Sequence, residues 1–181
     1  MQTLTRAGAG TNLQRAKAGA RRVRSSFPEP RFRTRRRTCH LVDIENLVGQ
    51  PEAGPRYTPA VFSRRAHEVS AAYRLKWVNS GDLVYVGCDA SLMLETLIDW
   101  EQYTVRIGRG ADGADRALID VLDLDAVARS CDVLQIASGD HAFAEPASRA
   151  RALGLYVRVV SRSDALSRDL RRNCDGIYIF A

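Results

Sequence analysis

The sequence predicts an α/β fold, a three-layer sandwich in which helices cover both faces of a mostly parallel sheet, on three observations. Apolar runs of five or six residues alternate along the chain with longer segments of helical spacing. Runs such as residues 83–88 and 133–137 are apolar at almost every position, which is typical of parallel strands covered on both faces. The connections between these segments are short, as expected when helices cover both faces of such a sheet.

The first elements follow from local composition. Residues 38–43 form a short apolar run that ends on a carboxylate and predict a strand. Residues 46–59 contain two glycines and three prolines, which indicates a loop. Pro59 suits the first turn of a helix, and apolar residues at helical spacing predict that helix over 60–77. The polar residues 79–82 then form a turn.

The rest of the chain repeats the alternation of strand and helix. A glycine-rich loop over 108–113 interrupts it, and Gly154 is placed to end a helix. The predicted strands are 83–88, 103–107, 133–137, 155–160 and 176–180. The predicted helices are 92–100, 114–128, 142–153 and 165–171.

Charge divides the chain into a tail and a domain. Residues 1–38 carry eleven basic residues and one acid, whereas residues 39–181 carry sixteen basic residues and twenty acids. A segment such as 31–37 attracts polyanions by releasing their counterions, although a solvated arm has the same composition. We expect a basic, disordered N-terminal tail over 1–37 and one folded domain over 38–181, a length that supports a real core.

Composition also bears on location. No apolar run approaches the roughly 18 residues of a membrane span, and the N-terminus lacks the apolar segment of a secretory signal. The arginine-rich, acid-poor start matches an organelle transit peptide as well as a disordered arm. The four cysteines are isolated from one another without zinc-ligand spacing, which favours a reducing compartment. We expect a cytoplasmic bacterial protein that has no membrane contact.

Three aspartates fall where strands end or helices begin. Asp43 ends the first strand, Asp115 lies at the start of the helix after the glycine-rich loop, and Asp140 follows the strand 133–137. The carboxyl ends of parallel strands form one rim, where ligands bind. Three carboxylates on one rim would repel one another, and a shared divalent cation is the economical solution. Asn46 lies close enough to Asp43 to assist such a site.

Each aspartate also has a structural interpretation. Asp43 can cap the following turn, and Asp140 can cap the helix near Ala142. Asp112 and Asp115 are spaced like an N-cap and a third-position acid. We expect Asp112 to be the cap, because Asp115 shares a helix face with apolar residues that point at the sheet.

The ordered set of motifs resembles the NYN domains, a branch of the PIN-like nucleases. The resemblance covers residues 38–180 and lies in the segments 42–47, 113–118, 138–143 and 166–175. It implies a PIN-type Rossmann-like fold that binds Mg²⁺ or Mn²⁺ and cleaves RNA, leaving a 5′-phosphate and a 3′-hydroxyl. By position, Asp43, Asp115 and Asp140 would be metal ligands, and Asn46 would join them in catalysis.

The predicted function is therefore that of a metal-dependent ribonuclease, which hydrolyses phosphodiester bonds. The expected partner is RNA, and single-stranded RNA is one possible substrate. Arg106, Arg109 and Arg116 flank the predicted rim and could meet the nucleic-acid backbone, although any one of them could be a solvated surface residue. Ser138 is the fourth candidate for a nucleic-acid contact.

Two alternatives stay open. Many NYN domains have a further aspartate two residues beyond the position of Asp140, where this chain has Ala142. That difference favours a weakly active or inactive RNA-binding or scaffolding domain, unless Glu145 substitutes. The other alternative is a phosphatase with Asp43 as its nucleophile, for which Glu45 is a poor second acid.

Overall fold

A seven-stranded sheet forms the middle layer of the protein, whose computed structural model describes residues 20–24, 36–51, 53–110 and 112–180. The strands are β1 (Ala20–Arg24), β2 (Thr38–Asp43), β3 (Leu83–Asp89), β4 (Thr104–Gly108), β5 (Val133–Ala137), β6 (Tyr156–Ser161) and β7 (Gly176–Phe180). Their order is β1-β7-β6-β5-β2-β3-β4. Strands β2 to β7 are parallel, and β1 pairs antiparallel with β7 at one edge.

Seven α-helices connect the described strands. They are α1 (Ile44–Val48), α2 (Pro59–Trp77), α3 (Met93–Asp99), α4 (Gly113–Val121), α5 (Leu124–Ser130), α6 (Ala144–Ala152) and α7 (Arg168–Arg172). Short 3-10 turns over 90–92 and 141–143 precede α3 and α6. Within these described ranges, none of the helices combines the length and apolar character that crossing a lipid bilayer requires.

Two hydrophobic cores, one on each face of the sheet, make the three layers. Along β2, Cys39 and Leu41 pack with α4 to α7, whereas Val42 packs on the other face with α1, α2 and the residues that flank α3. The largest buried side chains include Trp100, Tyr73 and Phe143. This alternation follows from the two-residue period of a strand. The predicted α/β class with a mostly parallel sheet is confirmed.

Two helical segments differ from their predicted form. The helix predicted over 114–128 is broken into α4 and α5, because Leu122 is extended and the Asp123 side chain caps α5 by accepting from the Ala126 N–H at 2.9 Å. The short helix α1 was predicted as part of a turn and loop. It forms directly behind Asp43, whose side chain accepts from the Asn46 N–H.

The predicted tail also differs in part. Residues 20–24, which were placed in the disordered segment 1–37, form β1, and Arg36 and Arg37 lie at the entrance to β2. An uncovered β7 would leave a row of unpaired backbone groups, and β1 covers it. Composition does not predict this strand, because residues 20–24 show no apolar alternation. The remainder of the predicted tail, residues 1–19 and 25–35, lies outside the described residues.

Candidate active site

The candidate site lies where the strand order reverses. From β2 the chain moves outward to β3 and then β4, and it returns to the other side of β2 with β5. In open parallel sheets such a reversal opens a crevice at the carboxyl ends of the strands, where ligands bind. A cavity of about 360 Å³ opens here, and its lining includes Asp43, Glu45, Asp89 and Asp115. We call it the acidic cavity.

Asp43 is fixed in this cavity by its neighbours. It is the last residue of β2 and is 4% exposed. Its Oδ1 accepts from the backbone N–H of Asn46 at 3.1 Å, and its Oδ2 accepts from the hydroxyl of Ser138 at 3.1 Å. Each carboxylate oxygen accepts one of these bonds and keeps a further lone pair, so the two bonds fix the orientation of Asp43 without blocking it.

Asp115 reaches the same point from α4. It is 6% exposed in the first turn of that helix, and its carboxyl group lies within hydrogen-bonding range of Asp43. A close turn between β4 and α4 brings it there. A Cβ on Gly108 would overlap the backbone of Gly113, so only glycine permits this approach. The two predicted aspartates are thus brought together.

Burial and mutual repulsion govern the charge of this pair. Burial, followed by the nearby Asp115 carboxylate, raises the pKa of Asp43 well above its ordinary value. Burial also raises the pKa of Asp115, to which the negative charge of Asp140 contributes. Oδ1 of Asp115 is buried and has no hydrogen-bond partner within the described residues. An uncompensated buried carboxylate oxygen is costly, and a cation would remove that cost.

Glu45 is a site residue that sequence reasoning passed over as a ligand. Its Oε1 accepts from the backbone N–H of Asp89 at 2.5 Å, while its Oε2 is buried and unpartnered within the described residues. Burial, with Asp89 and Asp115 as further causes, raises the pKa of Glu45. The rule that selected Asp43 would also have found Asp89, because Asp89 is the last residue of the neighbouring strand β3.

Asp140 has a different setting from its two predicted partners. Its Oδ1 accepts from the Ala142 N–H at 2.8 Å and lies 3.0 Å from Nδ1 of His141. It therefore caps the turn before α6, as the structural interpretation expected, and it lies outside the lining of the acidic cavity. In the part of the chain described, no three Asp, Glu, His or Cys side chains gather closely enough to hold a metal ion as they stand.

Asn46 and Ser138 make hydrogen bonds that hold the chain segments of the site in place. The Oδ1 atom of Asn46 accepts from the Gly139 N–H at 2.8 Å and ties α1 to the chain leaving β5. Ser138 is fully buried and accepts from the Asp140 N–H at 3.1 Å while it donates to Asp43. The predicted nucleic-acid contact by Ser138 is thus replaced by a supporting role, because a buried hydroxyl cannot reach a bound strand.

The predicted arginines are exposed, but a different arginine lines the acidic cavity. Arg106, Arg109 and Arg116 lie on the surface around β4 and α4, and the arginine among the cavity's lining residues is Arg162. Asp112, predicted as the cap of α4, is exposed, makes no side-chain capping bond and has a left-handed φ of 55°. A left-handed backbone is not the extended conformation of a usual N-cap, which accords with the missing capping bond.

The donor set suits a hard cation. The oxygens available in the acidic cavity belong to Asp43, Glu45 and Asp115, and Mg²⁺ is usually held by one or two carboxylates with water and substrate phosphate completing its shell. None of the ion pairs found among the described residues involves these three carboxylates. The unpartnered oxygens of Glu45 and Asp115 are donors of the kind that Mg²⁺ and Mn²⁺ take, although the described side chains do not enclose an ion as they stand.

Comparison with known proteins adds fold information. No family model matches the chain, and no curated protein is similar to it. A crystal structure of a protein of unknown function from Vibrio parahaemolyticus RIMD 2210633 is similar, with a TM-score of 0.52 and 13% sequence identity. The match covers 84% of this chain and 97% of the Vibrio chain. At this identity the likeness shows a shared α/β fold.

Proposed function

We propose that this protein is a metal-dependent ribonuclease of the NYN type that hydrolyses RNA phosphodiester bonds in the acidic cavity. One observation carries the proposal. Asp43 and Asp115 are buried in contact with each other at the carboxyl end of the sheet, and Asp115 keeps an unpartnered oxygen. Two adjacent carboxylates gain little for the fold without a cation, since their charges repel.

The residues of the chain have distinct parts in this proposal. Asp43 and Asp115 would hold Mg²⁺ or Mn²⁺, and Ser138 with the Asn46 N–H would fix the orientation of Asp43. When bound, the cation would polarise the attacking water and offset charge on the phosphoryl oxygens. Glu45 would accept the proton of that water at Oε2, because a raised pKa suits a carboxylate to general base catalysis near neutral pH.

The alternative is a weakly active or inactive RNA-binding or scaffolding domain. The specific observation in its favour is Asp140, which lies outside the lining of the acidic cavity, so that the cavity offers fewer ligands than the family pattern implies. Ala142 points the same way. The two functions differ in one measurable property, the breaking of a phosphodiester bond.

Cleavage of labelled single-stranded RNA tests the proposal. The full-length protein is incubated with RNA in Mn²⁺, in Mg²⁺ or in EDTA, beside Asp43→Asn, Asp115→Asn and Glu45→Gln. Asp120→Asn is the matched control, because Asp120 lies on α4 with Asp115 but is exposed. Metal-dependent cutting that the control keeps and all three site variants lose supports the nuclease. Binding of RNA without cutting in any metal supports the alternative and rejects the nuclease.

A further inference from the structure

A second cavity lies beside the acidic cavity. It has a volume of about 490 Å³ and is bordered by α1, α2, the loop before α2 and the segment after β6. Its lining includes Tyr57, Arg65, Val69, Arg162 and Phe180, and we call it the side cavity. Its volume is in the range of pockets that hold small ligands. Arg162 lines both cavities, so a ligand could extend from one into the other.

Arg162 is built into the junction between the two cavities. Its guanidinium lies across Gly49, where a Cβ would occupy the space of Nη1. Gly49 also has a φ of 61°, which side-chain-bearing residues rarely adopt. An ion pair with Asp164 holds the guanidinium from the other side, and the Arg162 side chain remains 19% exposed. The positive guanidinium is therefore fixed at the junction, where a nucleic-acid strand extending from the acidic cavity would pass.

The chemistry of the side cavity differs from that of its neighbour. The guanidinium of Arg65 lies 4.6 Å from the centroid of the Tyr57 ring, and Phe180 and Val69 add apolar surface. The lining carries two positive side chains, Arg65 and Arg162, and two negative ones, Glu68 and Asp164. Asp164 pairs with Arg162, and Glu68 lies 4.0 Å from Arg64, which is outside the lining. A balanced, partly aromatic cavity suits a neutral flat ring better than a phosphate. Nucleobases stack on aromatic rings and on arginine planes in this way.

A hydrogen bond joins the two ends of the loop that carries Tyr57. The backbone N–H of Tyr57 donates to Oε1 of Gln50 at 3.0 Å, which joins the loop's two ends. Thr58 then caps α2 by accepting from the Val61 N–H, so Tyr57 directly precedes a fixed helix start. The ring is half-exposed and available to a ligand in the side cavity.

We propose that the side cavity binds the nucleobase next to the phosphate held at the acidic cavity, stacked on Tyr57 and Arg65, and that Arg162 contacts the linking phosphate. The assignment of that phosphate as the one to be cut rests on the proposed function. The substrate class is then single-stranded nucleic acid, because a base inside a duplex is stacked and paired and cannot enter a cavity without being extruded.

Binding of a short strand tests the cavity without cleavage. The probe is a fluorescent six-nucleotide single-stranded RNA, titrated with full-length protein in EDTA and read by anisotropy. Tyr57→Ala is expected to weaken binding by about 5- to 100-fold, the range that one stacked base provides. Tyr57→Phe keeps the ring and is expected to stay within about two-fold of wild type. Arg65→Gln should weaken binding, whereas Arg129→Gln, at an exposed arginine of α5 outside the cavity lining, should not.

Abasic probes locate the bound base. With wild-type protein, removing the base at one of the six positions should weaken binding of the probe as much as Tyr57→Ala does. The Tyr57→Ala protein should bind that abasic probe as tightly as it binds the intact strand. Equal binding by wild type and Tyr57→Ala, equal losses at every position, or a duplex bound as tightly as the single strand would each overturn the inference. Unchanged thermal midpoints of the variants exclude a folding defect.

The outcome is separable from that of the ribonuclease. RNA cutting by wild type with no effect of Tyr57→Ala on binding rejects the side cavity and leaves the ribonuclease standing. The ribonuclease is rejected and the base site is supported if no metal promotes cutting and one abasic position weakens binding only when Tyr57 is present. Absence of measurable binding by any strand rejects the base site as well.

Discussion

The carboxyl groups of Asp43 and Asp115 lie within hydrogen-bonding range although one ends a strand and the other begins a helix on a different crossover. Both side chains are buried, and both pKa values are raised. Burial of two like charges in contact destabilises the metal-free fold near neutral pH. The predictions on stability begin from this relationship.

Asp43→Asn is expected to stabilise the metal-free protein. The substitution removes one of two repelling charges, and the asparagine Oδ1 can still accept from the Asn46 N–H. We expect the free energy of unfolding in EDTA at pH 7 to rise by roughly 1–2 kcal/mol, because one uncompensated buried charge is removed. Urea denaturation measures it. A drop in stability would contradict the assigned repulsion, and Asp120→Asn should have little effect.

The same substitution should remove the response to metal. A ligand that binds the folded state alone raises its stability by mass action. Wild type is expected to show a thermal midpoint that rises with Mn²⁺ concentration, and Asp43→Asn a midpoint that does not. Differential scanning calorimetry in EDTA and in graded Mn²⁺ makes the comparison. A wild-type midpoint that is independent of Mn²⁺ would count against a cation in the acidic cavity.

The stability of the metal-free protein should decrease as pH rises. Asp43, Glu45 and Asp115 have folded-state pKa values above their ordinary values, so between about pH 4 and the raised values the folded state binds more protons than the unfolded state. The contribution of these three groups to the free energy of unfolding is thus fully present below the ordinary carboxyl pKa. It is lost as pH rises through the raised pKa values. Urea unfolding from about pH 5 to 8 measures the slope. Asp43→Asn should flatten it, and an unchanged slope would reject the assignment.

Gly108→Ala is expected to damage the fold and the site together. The added methyl group would overlap the backbone of Gly113, which cannot move aside without displacing the start of α4 and Asp115. We expect a loss of roughly 3 kcal/mol or more. Gly54→Ala is the matched control, because a Cβ there meets open space and only the φ of 95° is strained. Similar unfolding midpoints for the two variants would show that the close approach is not required.

Tyr73→Phe should destabilise the protein without changing the acidic cavity. The buried hydroxyl of Tyr73 accepts from Nε2 of Gln135 at 2.6 Å and lies 3.0 Å from Nδ1 of His40. Its removal leaves buried polar groups unsatisfied, at a cost of about 1–3 kcal/mol. Urea denaturation should show this cost while the shift of the midpoint by Mn²⁺ is retained. Tyr85→Phe, at a half-buried tyrosine of β3, is the control.

The fold could be predicted because its signals are local. Apolar runs define the six parallel strands of the domain, and Pro59 with the spacing that follows it defines α2. The division between α4 and α5 depends on Asp123 turning back to cap a new helix, which is a choice between two local hydrogen-bonding patterns. β1 depends on an available sheet edge at the far end of the chain, and the composition of residues 20–24 does not record that edge.

The site could be predicted only in part. Local sequence shows where a residue falls along a strand, but contacts with distant residues determine where its side chain points. Asp43 and Asp115 meet as expected. Asp140 follows β5 as predicted, but it lies outside the lining of the acidic cavity, which its position along the chain does not determine. Arg162 was not considered, because its proximity to the acids depends on the passage that Gly49 leaves open.

Strand order also determines when the candidate site can first assemble during synthesis of the chain. β2 lies between β3 and β5, and the contact from Ser138 to Asp43 joins residues 95 positions apart. A growing chain that has completed β4 still lacks β5, so one side of its central strand has no neighbour. The orientation of Asp43 is fixed only after Ser138 arrives. A nascent chain therefore has no assembled centre until most of it has been made.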